Sequence, residues 1–322
     1  MNFTAFAKNA KQQKDNMKTK TIFYIAIILF WCLFIIGMSF ITRSNSNGGQ
    51  DKIQITASFY PVYFLSKEIA GNKADVFNVT PAGAEPHDYE PTAQDMAKME
   101  NSKMIVLNGG GLEAWADNVK QNFGNKAVIV VAGAGLTNKA TIENGEQKTD
   151  PHIWLDPVLV KEMANRILDG FIQIDPLNKD YYRTNAEALI LRLENLDNEY
   201  RQGLADCKSR DIITSHSAFG YLAAAYGLNQ VSVTGLSPDE EPSVQQLAEV
   251  AKFAKDNNIK YIFYESLISP KLSETIANEV GAKTLVLNPL EGLSSEEVSQ
   301  GKDYFTEMEN NLSNLKTALE CQ

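Results

Sequence analysis

Short apolar runs alternate with amphipathic stretches along most of the chain. Runs at 53–59, 75–79, Met104–Leu107 and 127–131 have the length and β-branched content of buried strands, while 62–69, 93–100 and 112–123 carry apolar residues at helical spacing. The rhythm returns with strands predicted at 212–214, 230–233, 259–264 and 284–287 and helices near 218–226, 244–257 and Lys271–Val280. Such βαβ repetition predicts parallel sheets covered by helices, so the expected fold class is α/β, with one lobe at 53–157 and a second at 207–322.

Between the lobes, 158–206 is the most helical part of the chain. Asp156-Pro157 and Asp175-Pro176 each place a capping residue before a proline suited to the first helical position, which predicts two helix starts. No glycine interrupts from Pro176 until Gly203, and Leu189, Leu191, Leu193 and Leu196 mix with charged residues. A helix of that length spans on the order of 40 Å, about a domain's width, and suits a strut between two lobes. Residues 133–148 are polar and read as a surface loop of the first lobe.

The N-terminus has a different pattern. Residues 1–20 contain five lysines, and the uncharged run 21–41 that follows is long enough to cross a bilayer at about 1.5 Å per residue. The lysines mark the cytoplasmic side. Met38-Ser39-Phe40-Ile41 offers no small-residue cleavage site, and Cys32 lacks the small neighbours of a lipid-attachment cysteine. An uncleaved, single-pass signal anchor is expected rather than a processed signal, with 42–52 as a flexible tether and the body outside the cytoplasm.

Composition narrows the function classes. The formal net charge is −10, and beyond residue 50 there are 24 basic against 39 acidic residues, a net of −15. An acidic body argues against a nucleic-acid partner and is compatible with cations. Only three histidines occur, in Glu85-Pro86-His87-Asp88, Asp150-Pro151-His152-Ile153 and Thr214-Ser215-His216-Ser217. All three stand beside prolines, acids or small residues where a loop or strand end is predicted, which points to one divalent-metal site assembled at the carboxyl ends of strands. A carboxylate can complete a tetrahedron with three imidazoles. Glu265, at the end of a predicted strand, and Glu291, after the last one, both fit, and the pattern alone does not choose between them.

The segments ITASFYPVYFLSKEIAG, PAGAEPHDYEPTAQDM, LNGGGLEAWADN, DPHIWLDP, ITSHSAFGYLAAAYGL, LSPDEEPS and LNPLEGL, in this order, resemble the metal-binding solute-binding proteins of ABC transporters, the cluster A-I group, and the zinc-uptake branch fits best. The resemblance spans roughly residues 53–320. It implies two α/β lobes joined by a rigid backbone helix, with a metal ion between them that is handed to a membrane permease without catalysis. Carried over residue by residue, the ligands fall on His87, His152, His216 and Glu291, which leaves Glu265 in a supporting role. A histidine at position 216 implies Zn²⁺ rather than Mn²⁺, with Mn²⁺ or Fe²⁺ as the alternative cargo. The chain departs from many zinc members in having no histidine in 133–148 and in its expected spanning helix.

Cys207 and Cys321 could form a disulfide outside the cytoplasm or remain two thiols. A receptor of this kind is expected to act as a monomer. An extracytoplasmic zinc hydrolase is the reading from a different class, but H-E-x-x-H and G-x-S-x-G are both absent. An adhesive role through the acidic surface has no sequence signature.

Overall fold

The computed structural model describes residues 52–143 and 146–322, together with Met17 and Trp31. The chain divides into two units, Met1–Lys52 and Ile53–Gln322. The expected anchor at 21–41 lies outside the described residues except for Trp31, and among the described residues no helix is long and apolar enough to cross a membrane.

The second unit contains two four-stranded parallel sheets. The first, ordered β2-β1-β3-β4, comprises β1 (Ile53–Ala57), β2 (Ala74–Asn78), β3 (Met104–Leu107) and β4 (Val128–Val131). Its connecting helices are α1 (Tyr60–Ala70), α2 (Ala93–Asn101) and α3 (Ala116–Phe123). The second sheet, ordered β10-β9-β7-β8, comprises β7 (Asp211–Thr214), β8 (Asn229–Ser232), β9 (Tyr261–Tyr264) and β10 (Lys283–Val286). Here α6 (Gly220–Tyr226), α7 (Val244–Asp256) and α8 (Lys271–Val280) make the crossovers. The architecture is thus α/β with two lobes, as the βαβ rhythm predicts.

Side chains alternate across each sheet, and the alternation divides the core. In β3, Met104 and Val106 join the main cluster, whereas Ile105 and Leu107 face a smaller one with Trp115 and Phe123. In β9, Phe263 joins the main cluster and Ile262 an outer one with Val250 and Ile276. The main cluster runs without interruption from the first sheet through the central helices into the second lobe. The lobes therefore share a core instead of meeting only at a linker.

Two long helices lie in that shared core. α4 (Pro157–Ile174) begins as expected, with the Asp156 carboxylate accepting the Val158 N–H at 2.9 Å. It presses against the first sheet, where a Cβ on Gly170 would stand 2.6 Å from both Met104 Sδ and Val130 Cγ2. α5 (Lys179–Gly203) has 25 residues and is about 38 Å long. Its buried face is Tyr182, Ala186, Leu189, Leu193, Leu196 and Tyr200, a stripe that alternates steps of four and three. Leu191 falls on the opposite face and is exposed. α5 packs against α4, α1 and the C-terminal helix, so one continuous rod touches both lobes.

Several details depart from the sequence reading. Asp175 does not cap a helix with its side chain; the carboxylate takes the Tyr182 hydroxyl at 2.8 Å and the Asn178 amide at 2.7 Å, and α5 starts only after a 3₁₀ turn at Pro176–Asn178. The helix expected from 112 starts at Ala116, because Gly109, Gly110 and Gly111 hold positive φ and Glu113 folds inward. The stretch read as loop at 133–148 contains an antiparallel hairpin, β5 (Ala140–Glu143) with β6 (Glu146–Thr149). Two helices were not anticipated, α9 (Ser295–Ser299) and α10 (Tyr304–Leu319). Cys207 and Cys321 are disulfide-bonded across 114 positions, fastening the chain beyond α5 to the C-terminus.

Candidate metal centre

His87 lies in the loop after β2, and His152 in the turn between β6 and α4. His216 follows β7, and Glu291 follows β10. Three of the four thus stand beyond the carboxyl ends of parallel strands, where side chains from several loops can meet. They do meet: one donor atom from each lies within 4.8 Å of every other. Glu291 Oε1 is 3.3 Å from His87 Nε2, 3.2 Å from His152 Nε2 and 3.1 Å from His216 Nε2. His152 Nε2 is 3.3 Å from both His87 Nε2 and His216 Nε2. Five of the six donor pairs are thus 3.1–3.3 Å apart, the spacing of donors around an ion held at about 2.0–2.1 Å, and the sixth pair, His87 with His216, lies within 4.8 Å.

Two of the imidazoles are aimed by carboxylates. The Asp150 Oδ1 atom accepts the His152 backbone N–H at 3.0 Å and its Nδ1–H at 2.8 Å. The Glu265 Oε1 atom, from the end of β9, does the same for His216, at 3.2 Å and 2.6 Å. A proton fixed on Nδ1 leaves the Nε2 lone pair facing the centre and makes it more basic. Glu265 is therefore a brace beneath His216, the supporting role the resemblance implies.

Glu291 owes its direction to the backbone. Leu290 adopts φ 58°, and its N–H reaches back to the Asn288 side-chain oxygen at 2.8 Å. Asn311 of α10 clasps the backbone of Asn288, accepting its N–H at 2.8 Å and donating to its carbonyl at 2.7 Å. The Gly83 N–H donates to Leu293 O at 3.0 Å, joining the loop of His87 to the loop of Glu291.

Burial and charge work against each other here. Burial alone would raise the Glu291 carboxyl, yet the charge of His216 and hydrogen bonds from the imidazoles hold it well below the ordinary range. Burial alone would depress His216, but Glu265 and Glu291 carry it well above its usual value; His152 is raised by Asp150 and Glu291 against the same desolvation. Glu85 accepts the His87 N–H at 3.1 Å, and burial, aided by the charge of Glu291, pushes its carboxyl up to about 9. The acids around these imidazoles thus favour positive charge at the centre.

His87 is the only one of the four with measurable side-chain exposure, 11% against 0–1%. It lines a cleft of about 430 Å³ whose other walls include Gly110, Pro151, Lys148, Leu236 and Glu240. Lys148 of the first lobe and Glu240 of the second pair across this mouth at 3.5 Å.

The sequence reading missed Asp150, Asn288 and Asn311 as parts of the centre. Asp150 had a signal, an acid two residues before a histidine with proline between. Asn311 had none short of the tertiary fold.

A profile of the family described as zinc-uptake complex component A, periplasmic, matches residues 55–318. The high-affinity zinc uptake system protein ZnuA of Bacillus subtilis is 39% identical over 293 residues, covering 86% of this chain and 91% of that protein. The zinc-binding protein AdcA of Streptococcus pyogenes serotype M1 is 36% identical over 297 residues, 86% of this chain but 58% of AdcA, so the chain spans little more than half of that relative. The Zn(II)-bound ZnuA-like domain of Streptococcus pneumoniae AdcA superposes with a TM-score of 0.72 at 38% identity, over 84% of this chain and 99% of that one.

Proposed function

Because this chain belongs to the family of periplasmic zinc-uptake complex component A, we propose that it is an extracytoplasmic receptor that binds Zn²⁺ and delivers it to the permease of an ABC importer. In this reading His87, His152, His216 and Glu291 are the ligands. The observation that carries it is the convergence of three imidazole nitrogens and one carboxylate oxygen within 4.8 Å of one another, five of their six separations being 3.1–3.3 Å, a donor set that suits zinc's taste for nitrogen.

The chemistry follows from that donor set. Three neutral imidazoles and one carboxylate bring a single negative charge to a divalent ion, and any proton held by an imidazole must leave as the ion arrives. Four protein donors close the tetrahedron and leave no corner for the water that a hydrolytic zinc activates, so the reading is capture and hand-over rather than catalysis. Residues 1–52 supply the membrane attachment through the anchor at 21–41, keeping the body beside the permease.

Metal analysis of the protein isolated from its own host, followed by competition titration with Zn²⁺ and Mn²⁺, tests the proposal. Zinc near one equivalent is expected. Manganese or iron as the resident ion, or no metal at all, would overturn the zinc assignment.

A further inference from the structure

The hairpin β5–β6 ends on a rung completed from the other lobe. Beyond the last pair, Ala140 with Thr149, the Asp150 N–H donates to Lys139 O at 2.9 Å, as an antiparallel ladder requires. The return bond would run from Lys139 N–H to Asp150 O. The Tyr221 hydroxyl is inserted there instead, accepting from Lys139 N–H at 3.0 Å and donating to Asp150 O at 3.3 Å. Tyr221 belongs to α6 of the second lobe, whereas the hairpin belongs to the first. The residue before it, Gly220, lies so close that a Cβ there would stand 2.9 Å from Asp150 Oδ2. The second lobe therefore bonds the Asp150 carbonyl and sets a glycine where any side chain would crowd one carboxylate oxygen, while the other oxygen holds His152.

We propose that Tyr221 is a positioning residue that ties the separation of the lobes to the aim of His152. When the lobes are together, its hydroxyl closes the last rung of the hairpin, and the bare Gly220 leaves the Asp150 carboxylate the room it occupies. Moving the second lobe away withdraws the hydroxyl, and His152 loses its fixed direction before any ligand has left the ion. Release of the ion begins at His152, triggered by an inter-lobe hydrogen bond that touches no metal ligand. The inference rests on the zinc-receptor reading.

Stopped-flow transfer of Zn²⁺ to a chelator, on the intact protein, tests it. Tyr221→Phe is expected to quicken zinc release about tenfold, the effect of losing two ordinary hydrogen bonds, and to leave the association rate unchanged because the open cleft lacks them already. In an Asp150→Ala background, Tyr221→Phe should add little. Gly220→Ala, which crowds Asp150 Oδ2 and leaves the hydroxyl in place, should also quicken release and serves if Tyr221→Phe does not fold. In wild type, the Lys139 amide should exchange more slowly with zinc bound than without. Release at the wild-type rate in either folded variant, full multiplication of effects in the Asp150→Ala background, or zinc-independent exchange at Lys139 overturns the inference. Wild-type protein that takes up no zinc would sink the receptor reading itself, an outcome distinct from these.

Discussion

His216 and His87 present the same atom to the same point, yet they are held in opposite ways. His216 is fully buried, its Nδ1 fixed by Glu265 and its carbonyl accepting from Thr214 and Gln230. His87 stands at the cleft mouth, where Glu85 holds its backbone N–H and, among the described residues, no acid is bonded to its Nδ1. The difference separates two tasks. In the proposed receptor, the imidazoles braced by buried acids define where the ion rests, and the one at the mouth is the corner nearest to water.

The largest test removes ligands. Spread over four ligands, the roughly 10–16 kcal/mol typical of closed zinc sites gives on the order of 10²–10³-fold in affinity for each. His216→Ala and His152→Ala should lie at the upper end and His87→Ala at the lower, because water can reach the corner that His87 vacates. Chelator competition measures this, with far-UV circular dichroism to show that the lobes persist. Equal losses for His87→Ala and His216→Ala would erase the comparison.

Acidity should act next most strongly. Zinc competes with protons for the imidazoles, and the upward shift of His216 strengthens the proton's side, so affinity should climb as pH rises through neutrality and fall steeply toward pH 5. Stability of the metal-free protein runs the other way. A histidine raised above its unfolded value of about 6.5 contributes stability that is complete below that pH and lost as pH rises through the folded value. The depressed Glu291 contributes stability present above about pH 4.3 and lost as pH falls through its lowered value. The increment in Tm on adding zinc should therefore grow between pH 6 and 8.5, and an increment independent of pH would contradict this account.

The braces should cost less than the ligands. Glu265→Gln and Asp150→Asn are expected to weaken zinc binding by roughly 10–100-fold, while Glu85→Gln, which keeps an acceptor for the His87 N–H, should change it by less than about threefold. Isothermal titration on the three variants orders them. An effect of Glu85→Gln as large as that of Glu265→Gln would mean that His87 is braced after all.

A subtler expectation concerns selectivity. His216→Glu replaces a nitrogen donor with oxygen and sets a second carboxylate beside Glu265, so the zinc-to-manganese affinity ratio should fall even if zinc remains the tighter ion. Competition titrations with both metals read the ratio directly. An unchanged ratio would show that closure of the cleft, not donor type, sets preference.

How much of this was legible depended on whether the signal was local. Strands such as β3 and β9 are apolar on both faces and announced themselves, and the histidines stood out because there are only three. The hairpin was hidden because its strands, ATIE and EQKT, are short and β6 is exposed throughout, so no apolar alternation marks it. The C-terminal helix did carry a readable pattern, with Tyr304, Met308, Leu312, Leu315 and Leu319 buried at steps of four and three. The choice of Glu291 over Glu265 came from the resemblance, since both acids end strands of one sheet. What separates them is Leu290 at positive φ and the grip of Asn311 on Asn288, contacts that no spacing encodes.

Trp154 bears on how such movements could be watched. Its indole N–H donates to Pro289 O at 2.7 Å, its carbonyl accepts the Tyr304 hydroxyl at 2.7 Å, and its ring lies 5.0 Å from that of His152. The residue is fully shielded from water. Within 53–322 the only other tryptophan, Trp115, belongs to the outer cluster of the first lobe. The molecule thus contains its own optical gauge: arrival of a cation beside the His152 ring, or parting of Trp154 from Pro289, changes the polarity and quenching around one indole, and emission intensity and wavelength report the state of the cleft without any attached dye.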